Sequence, residues 1–138
     1  MKVSLSRKYT FAASHRLHSP EFSDVENQRL YGKCNNPYGH GHNYTLEVTV
    51  TGPVNPQTGM IANLSDLDAF VKSRVLDDFD HRSMNDEIPA FRKTVPTTEN
   101  LCKEIYERLR DFPHARVERI RIEETSKNSF EYTGPATQ

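Results

Sequence analysis

No apolar run in this sequence approaches the roughly 18 residues that a membrane-spanning helix requires, so a membrane protein of that kind is not expected. The opening MKVSLSRKYTF is too polar for a secretory signal, and a cytoplasmic location is expected. Cysteine is scarce, with Cys34 and Cys102 alone, which argues against a disulfide-stapled scaffold and for free thiols in a reducing compartment. Charge of one sign is also missing. The 18 basic and 19 acidic residues leave a net charge of −1, so no broad basic field for nucleic acid is expected. No G-x-G-x-x-G phosphate loop is present, and no nicotinamide cofactor is expected. Repeats, low-complexity segments and linkers are absent too. The 138 residues suit a single domain spanning 1–138 with one core, ending in a loose tail, GPATQ.

Alternation of apolar and polar residues marks the strands. Val3, Leu5, Tyr9, Phe11, Ala13 and His15 share one face of a first strand over 3–15, and Tyr44, Leu46, Val48 and Val50 share one face of a second over 42–52. Between them, residues 16–39 show no period and read as a long loop. After the turn GPVNPQTG, MIANL reads as a short returning strand. Leu67, Phe70, Val71 and Val75 have helical spacing behind an Asn63 or Ser65 cap. A second helix follows Pro96 and a threonine cap, with Leu101, Ile105 and Leu109 inward. Ile120, Ile122 and Glu124 share a face of a later strand, and FEY is the last. The order β-β-α-α-β-β predicts an α+β fold, an antiparallel sheet with two helices on one face.

The chemistry-bearing residues sit at the ends of these rows. His40 and His42 extend the inward row of the second strand, and His15 ends that of the first. Two readings stand at this point: three separate half-buried polar residues, or three imidazoles converging on Zn²⁺ with a fourth position open, as in catalytic sites. Cys34 lies in polar, loop-like GKCNNPYG, where it is either a small packed residue or a thiol whose pKa is lowered by a cation or imidazole. Cys102 falls on a helical apolar face and reads as core. Asp80 and His81 close a helix, either for its dipole or as an oriented proton-transfer pair. Glu124 points to the covered face, where a bare charge is costly. It needs either an Arg or Lys partner or a ligand with an amidine-like donor edge.

YTFAASHRL, GKCNNPYGHGHNY, LDDFDHRSMND, PTTEN and IRIEET, in that order over residues 3–133, resemble the 6-pyruvoyl tetrahydropterin synthase family. The resemblance implies a T-fold subunit, a four-stranded antiparallel sheet with two helices on one side. It further implies trimers stacked as a homohexamer, with active sites between subunits. His15, His40 and His42 match the family's Zn²⁺ ligands, Cys34 the catalytic cysteine, and Asp80 with His81 its proton relay. Glu124 matches the residue anchoring the pterin, whose 2-amino group and N3–H form the donor edge. Thr97, Thr98 and Glu99 resemble a second pterin-contacting segment, although a threonine there also caps the helix. The implied reaction eliminates triphosphate from 7,8-dihydroneopterin triphosphate. Lys33 and Arg16 lie in loops where a triphosphate could be met, without assignment. A related enzyme of queuosine biosynthesis, 6-carboxytetrahydropterin synthase, commonly has three residues between the cysteine and the H-G-H pair. Asn35–Gly39 make five here, which resembles the pyruvoyl-forming type. A non-catalytic zinc- or pterin-binding protein would have no need to retain Cys34, Asp80 and His81 together.

Overall fold

The two long strands form one hairpin that carries the rest of the chain. In the computed structural model, which describes residues 2–135, β1 (Lys2–His15) and β2 (His40–Pro53) pair antiparallel over their whole length, from Lys2 opposite Pro53 to His15 opposite His40. β4 (Arg116–Thr125) pairs with the other edge of β2, and β5 (Asn128–Tyr132) with β4. A two-residue β3 (Arg82–Ser83) runs parallel to β1 at Ala13 and Ser14. The sheet order is β3-β1-β2-β4-β5. Four antiparallel strands were expected, and β3 is the difference. It is too short to have an alternation pattern, and its pairing to β1 follows from the loop at Asp80 and His81 described below.

The rows read from the sequence face one core. Phe11, Ala13, Tyr44, Leu46, Val48, Val50, Ile120 and Ile122 are buried. Over them lie α2 (Leu64–Val71), a π-helical segment (Lys72–Leu76) and α3 (Asp77–Phe79) as one rod, with α5 (Thr98–Leu109) beside it. Asn63 caps α2 through bonds from Ser65 N and Asp66 N. The rod buries Leu67, Val71, Val75 and Phe79, each four residues apart. An α-helix would rotate such a row by roughly 40° per step. The wider π turn absorbs that drift and keeps the row on the sheet. From α5, Leu101, Cys102, Ile105 and Leu109 are buried, as expected for Cys102. No helix among the described residues is long and apolar enough to cross a membrane.

Two expectations fail. MIANL forms no strand, and Asn63 and Leu64 instead open α2. β1 and β4 already occupy both edges of β2, so a strand returning from β2 has no free edge of β2 to pair with. The stretch 16–39 is not all loop. It holds α1 (Asp24–Tyr31) and a 3₁₀ turn (Gly32–Asn35), with a short α4 (Met84–Glu87) packed nearby in the chain leading to α5. α1 has no apolar stripe because the residue it buries is Asn27. Its start is a capping box. Ser23 Oγ accepts from Glu26 N at 3.2 Å, and Glu26 Oε1 accepts from Ser23 N at 3.0 Å. The end of the expected tail, residues 136–138, lies outside the described residues.

Asn27 holds this segment together. Its Oδ1 accepts from Ser19 N at 2.8 Å, and its amide reaches the carbonyls of Ser19, Phe22 and Ser23 at 2.9–3.2 Å. Asn27→Ala leaves these backbone groups unpaired inside the protein. Stability is expected to fall by roughly 1–3 kcal/mol, with hydrogen-exchange protection lost over residues 17–31 and retained in β2 and α5. Unchanged exchange across 17–31 would contradict this account of α1.

Candidate active site

The β1–β2 register builds the site. His15 stands opposite His40, and Ala13 opposite His42, so the small alanine leaves room for the imidazole. Gly39 brings the chain into β2 with φ of 73°. A Cβ there would lie 3.1 Å from the His15 carbonyl oxygen, so both the backbone angle and the close approach favour glycine. The three rings then meet edge to face, with centroids 5.2 Å apart for His15–His40, 5.0 Å for His15–His42 and 4.7 Å for His40–His42.

Backbone carbonyls orient the rings. His15 Nδ1 donates to Pro96 O at 2.9 Å and His40 Nδ1 to Lys33 O at 3.1 Å. A carbonyl only accepts, so both rings keep the Nε2 lone pair free. Among the described residues His15 Nε2 is buried with no hydrogen-bond partner, and His40 Nε2 lies 2.9 Å from His42 Nε2. The lone pairs of His15 and His40 thus converge beside His42, where a positive centre would be held. The orphaned, converging nitrogens fit a metal ion, and the all-imidazole donor set suits Zn²⁺. Burial pushes the His15 and His42 imidazoles below their usual range, which keeps them in the neutral form that a metal binds.

Cys34 and Glu124 flank the imidazoles. Cys34 Sγ is 3.5 Å from His40 Nε2, and Glu124 Oε2 is 3.9 Å from His42 Nε2. Two overlapping donor groups therefore share His15: His15, Cys34 and His40, and His15, His42 and Glu124, with ligand atoms within 4.8 Å of one another in each. The fold alone does not activate the thiol. Burial, and then the Glu124 charge, push the Cys34 thiol up from its usual value. The lowering read from its neighbours therefore has to come from a cation.

Among the described residues, Glu124 has neither an Arg nor a Lys partner. Thr98 Oγ1 donates to its Oε2 in a very short bond, and Asn128 Nδ2 donates to its Oε1 at 3.2 Å. These bonds hold its carboxyl below the usual range although burial, the largest single influence, acts the other way. Thr98 is thereby placed at the site. Thr97 caps α5, accepting from Asn100 N at 3.2 Å, and Glu99 is exposed on the first turn. Sequence reasoning missed Asn128 and the carbonyls of Lys33 and Pro96. Backbone acceptors leave no mark in side-chain identity, and Asn128 reads as an ordinary turn residue.

Asp80 and His81 are tied to the outer edge of β1. Asp80 Oδ1 accepts from Ala12 N at 2.8 Å, and His81 N donates to Ala12 O at 2.6 Å. His81 takes a positive φ of 61°, and its Nδ1 lies 3.1 Å from Asp80 Oδ1. The Ala12 N–H, and to a lesser degree His81, hold the Asp80 carboxyl below its usual range. That stabilisation is complete above an ordinary aspartate pKa of about 3.9 and is lost as pH falls through the depressed folded value. The His81 ring is 81% exposed. It lines a separate cleft with Ala13, Gly41 and His42, and among the described residues no hydrogen bond joins it to Cys34. Within one chain the expected relay and the thiol are therefore not brought together.

Comparisons with known proteins place the chain in a family. The family model described as 6-pyruvoyl tetrahydropterin synthase matches residues 4–135. The 6-pyruvoyl tetrahydrobiopterin synthase of Poecilia reticulata is 46% identical over 131 residues, which cover 94% of this chain and 89% of that one. The Homo sapiens protein of the same name is 41% identical over 134 residues, 96% of this chain and 92% of that one. The solved structure of Caenorhabditis elegans 6-pyruvoyl tetrahydropterin synthase matches with a TM-score of 0.92 at 41% identity, covering 98% of this chain and 97% of that one. The chain belongs to the 6-pyruvoyl tetrahydropterin synthase family, and its fold is the T-fold.

His42→Ala removes one member of the donor set without disturbing the core rows. Metal analysis of the folded variant is expected to show loss of stoichiometric zinc, and unchanged zinc would contradict the three-imidazole site. The depressed imidazole values of His15 and His42 set a pH dependence. Protons compete for these ligands only below the ordinary imidazole pKa of about 6.5. Zinc retention measured across a pH series is expected to be flat above that value and to fall in acid below it.

Proposed function

We propose that this chain is a zinc-dependent 6-pyruvoyl tetrahydropterin synthase. It is a carbon–oxygen lyase that converts 7,8-dihydroneopterin triphosphate to 6-pyruvoyl-tetrahydropterin with loss of triphosphate. The observation that carries the reading is the placement of one thiol and one carboxylate on opposite flanks of three converging imidazoles. The carboxylate supports pterin recognition. Thr98 and Asn128 hold Glu124 from one side, and its remaining lone pairs suit the 2-amino and N3–H donors of a pterin.

His15, His40 and His42 would hold Zn²⁺, which supplies Lewis acidity toward the hydroxyls of the substrate side chain and the positive charge that favours a Cys34 thiolate. Pro96 and Lys33 fix the ring tautomers through their carbonyls. Cys34 accepts the proton lost from a side-chain carbon, and the electron pair of that C–H bond expels triphosphate from the neighbouring carbon. The enol left by elimination ketonises, its O–H proton passing to the terminal carbon, and tautomerisation moves the C–H and O–H hydrogens of the carbinol next to the ring onto the ring C=N bond. The ring gains the electrons that the side chain loses, so no external redox cofactor is needed.

Asp80 and His81 are the second proton-handling pair. They sit at the outer edge of β1 with no hydrogen bond to Cys34 among the described residues, which supports a site completed by a neighbouring subunit. Among the described residues the outer edge of β1 is paired only at Ala13 and Ser14, and β5 ends the sheet. Two open edges on one sheet favour ring closure by further copies, as in a trimer, with two trimers stacking as a homohexamer. Both thiols are free, which suits a cytoplasmic enzyme. The 6-carboxytetrahydropterin synthase reading is less well supported, because five residues separate Cys34 from His40 and the relatives at 41–46% identity carry the pyruvoyl name. Mass spectrometry of the product separates the two. A product retaining all three side-chain carbons is expected, and a one-carbon carboxylate would overturn the reading.

Cys34→Ala is expected to keep zinc and to lose turnover by about 10²–10⁴-fold, the usual contribution of a general base. Turnover near the wild-type rate would remove the thiol from this role. Glu124→Gln sets an NH₂ group against the pterin donors and removes the charge. A charge-assisted bond is worth about 1.5–3 kcal/mol, so pterin affinity measured by calorimetry should fall at least about tenfold with zinc retained. Wild-type affinity in that variant would rule out Glu124 as the anchor.

A further inference from the structure

β1 and β2 stop pairing where His15 meets His40, and β3 stops beside β1 at Ser14. Among the described residues, the backbone just past His15 therefore has no strand on either side. A side chain and a loop take over. Asn85, in α4, meets Arg16: its Oδ1 accepts from Arg16 N at 2.7 Å, and its Nδ2 donates to Arg16 O at 2.8 Å. These are the two bonds that one residue of a neighbouring antiparallel strand would exchange with Arg16. A primary amide can make both because it carries a donor and an acceptor on one planar group. On the other side, Leu17 N donates to Cys34 O at 2.7 Å, and Leu17 O accepts from Asn35 Nδ2 at 2.7 Å. Arg16 and Leu17 thus bond to opposite sides, as successive residues of a strand do. The extended backbone that aims His15 inward is carried past the end of the sheet.

Asn85 is itself held. Met84 beside it and Ile88 one turn on are buried, and Glu87 Oε2 accepts from Ser83 N at 2.8 Å. The chain from Asp80 to Asn85 follows the outer edge of β1. Asp80 Oδ1 and His81 N take the two backbone groups of Ala12, β3 pairs at Ala13 and Ser14, and Asn85 takes the two backbone groups of Arg16. One short segment therefore carries the Asp80–His81 pair at its start and grips the residue after His15 at its end.

We infer that Asn85 is a positioning residue, which holds His15 in the arrangement that binds the metal and keeps the Asp80–His81 segment in register with the same strand end. The inference rests on the reading of His15, His40 and His42 as Zn²⁺ ligands, and Asn85 lies outside that set. The bond from His15 Nδ1 to Pro96 O turns the ring, but the ring goes only where its backbone takes it. Without the Asn85 clasp the end of β1 frays, and His15 Nε2 loses its fixed place beside His40 and His42. Supports outside the ligand shell are worth about 10–100-fold in metal affinity.

The test uses the full chain with Asn85→Leu, which removes both bonds at similar side-chain size, and Asn85→Asp. The aspartate keeps the acceptor for Arg16 N and sets a carboxylate oxygen against Arg16 O. Zinc is the probe, titrated in competition with a chromogenic chelator, and hydrogen exchange is followed on the metal-free protein. In Asn85→Leu the zinc dissociation constant should rise at least about tenfold. Exchange should quicken over residues 13–17 and stay slow in β4 and α5. Asn85→Asp should shift both readouts in the same direction by less, and it carries the test where Asn85→Leu does not fold. At saturating zinc, kcat of Asn85→Leu should fall while KM for the triphosphate substrate stays within about twofold, because Glu124 is held from α5 and the β4–β5 turn. Wild-type zinc affinity and wild-type exchange in both variants would overturn the inference. So would exchange that quickens equally in β4 and α5, which marks a fold loosened throughout. A wild type whose zinc affinity depends on Asn85 in this way, yet which releases no triphosphate from the substrate, would instead refute the proposed activity and leave the role of Asn85 standing.

Discussion

The register of β1 against β2 is the constraint on which everything else depends. Fourteen residues of each strand pair without a break, and the pairing ends with His15 across from His40. A slip of one residue would turn every side chain of one strand to the opposite face. A slipped β1 would take Phe11 out of the core and His15 out of the cluster, and a slipped β2 would do the same to Tyr44 and Leu46 and to His40 and His42. The same apolar burial that fixes the core therefore fixes the imidazoles, because they are the last members of the same rows. The site needs no separate folding event of its own.

The helices then complete what the hairpin begins. α5 starts where Pro96 offers its carbonyl to His15, and two residues later Thr98 offers its hydroxyl to Glu124. β4 brings Glu124 to the end of the row Ile120, Ile122, beside the end of β2. The loop after β1 and the turn before β2 close from the other side, joined by Leu17 N to Cys34 O at 2.7 Å and by Asn35. Burial pushes the His15 and His42 imidazoles toward their neutral form and raises the Cys34 thiol, while hydrogen bonds from Thr98 and Asn128 hold the Glu124 carboxyl down. That arrangement suits a cation, and a cation beside Cys34 would lower the thiol that burial raises.

Much of this was legible in the sequence because it is carried by alternation. His15, His40, His42 and Glu124 lie on strands, where a period of two states which face each side chain takes. The cores of α2 and α5 were legible for the same kind of reason. α1 was not, because Asn27 occupies its inner face and polar burial leaves no hydrophobic period; its signal was the S-x-x-E capping box at Ser23 and Glu26. MIANL misled because composition favours a strand there, whereas pairing partners decide whether one forms. The separation of His81 from Cys34 could not be read at all, since it depends on which strand edge Ala12 presents to the loop. The rise in the Cys34 pKa was equally hidden, because burial of a loop residue is a tertiary outcome.

The central claim is that three imidazoles hold the metal while Cys34 stays outside its ligand shell. Cys34 lies close enough to His15 and His40 to form a competing donor set, as does Glu124 with His15 and His42. X-ray absorption at the zinc edge of the loaded, substrate-free protein separates these cases. The account predicts only light ligands, with nitrogen scatterers at about 2.0–2.1 Å and the imidazole outer-shell pattern of three histidines. A sulfur scatterer at about 2.3 Å would place the thiolate on the metal and contradict its assignment as a free base.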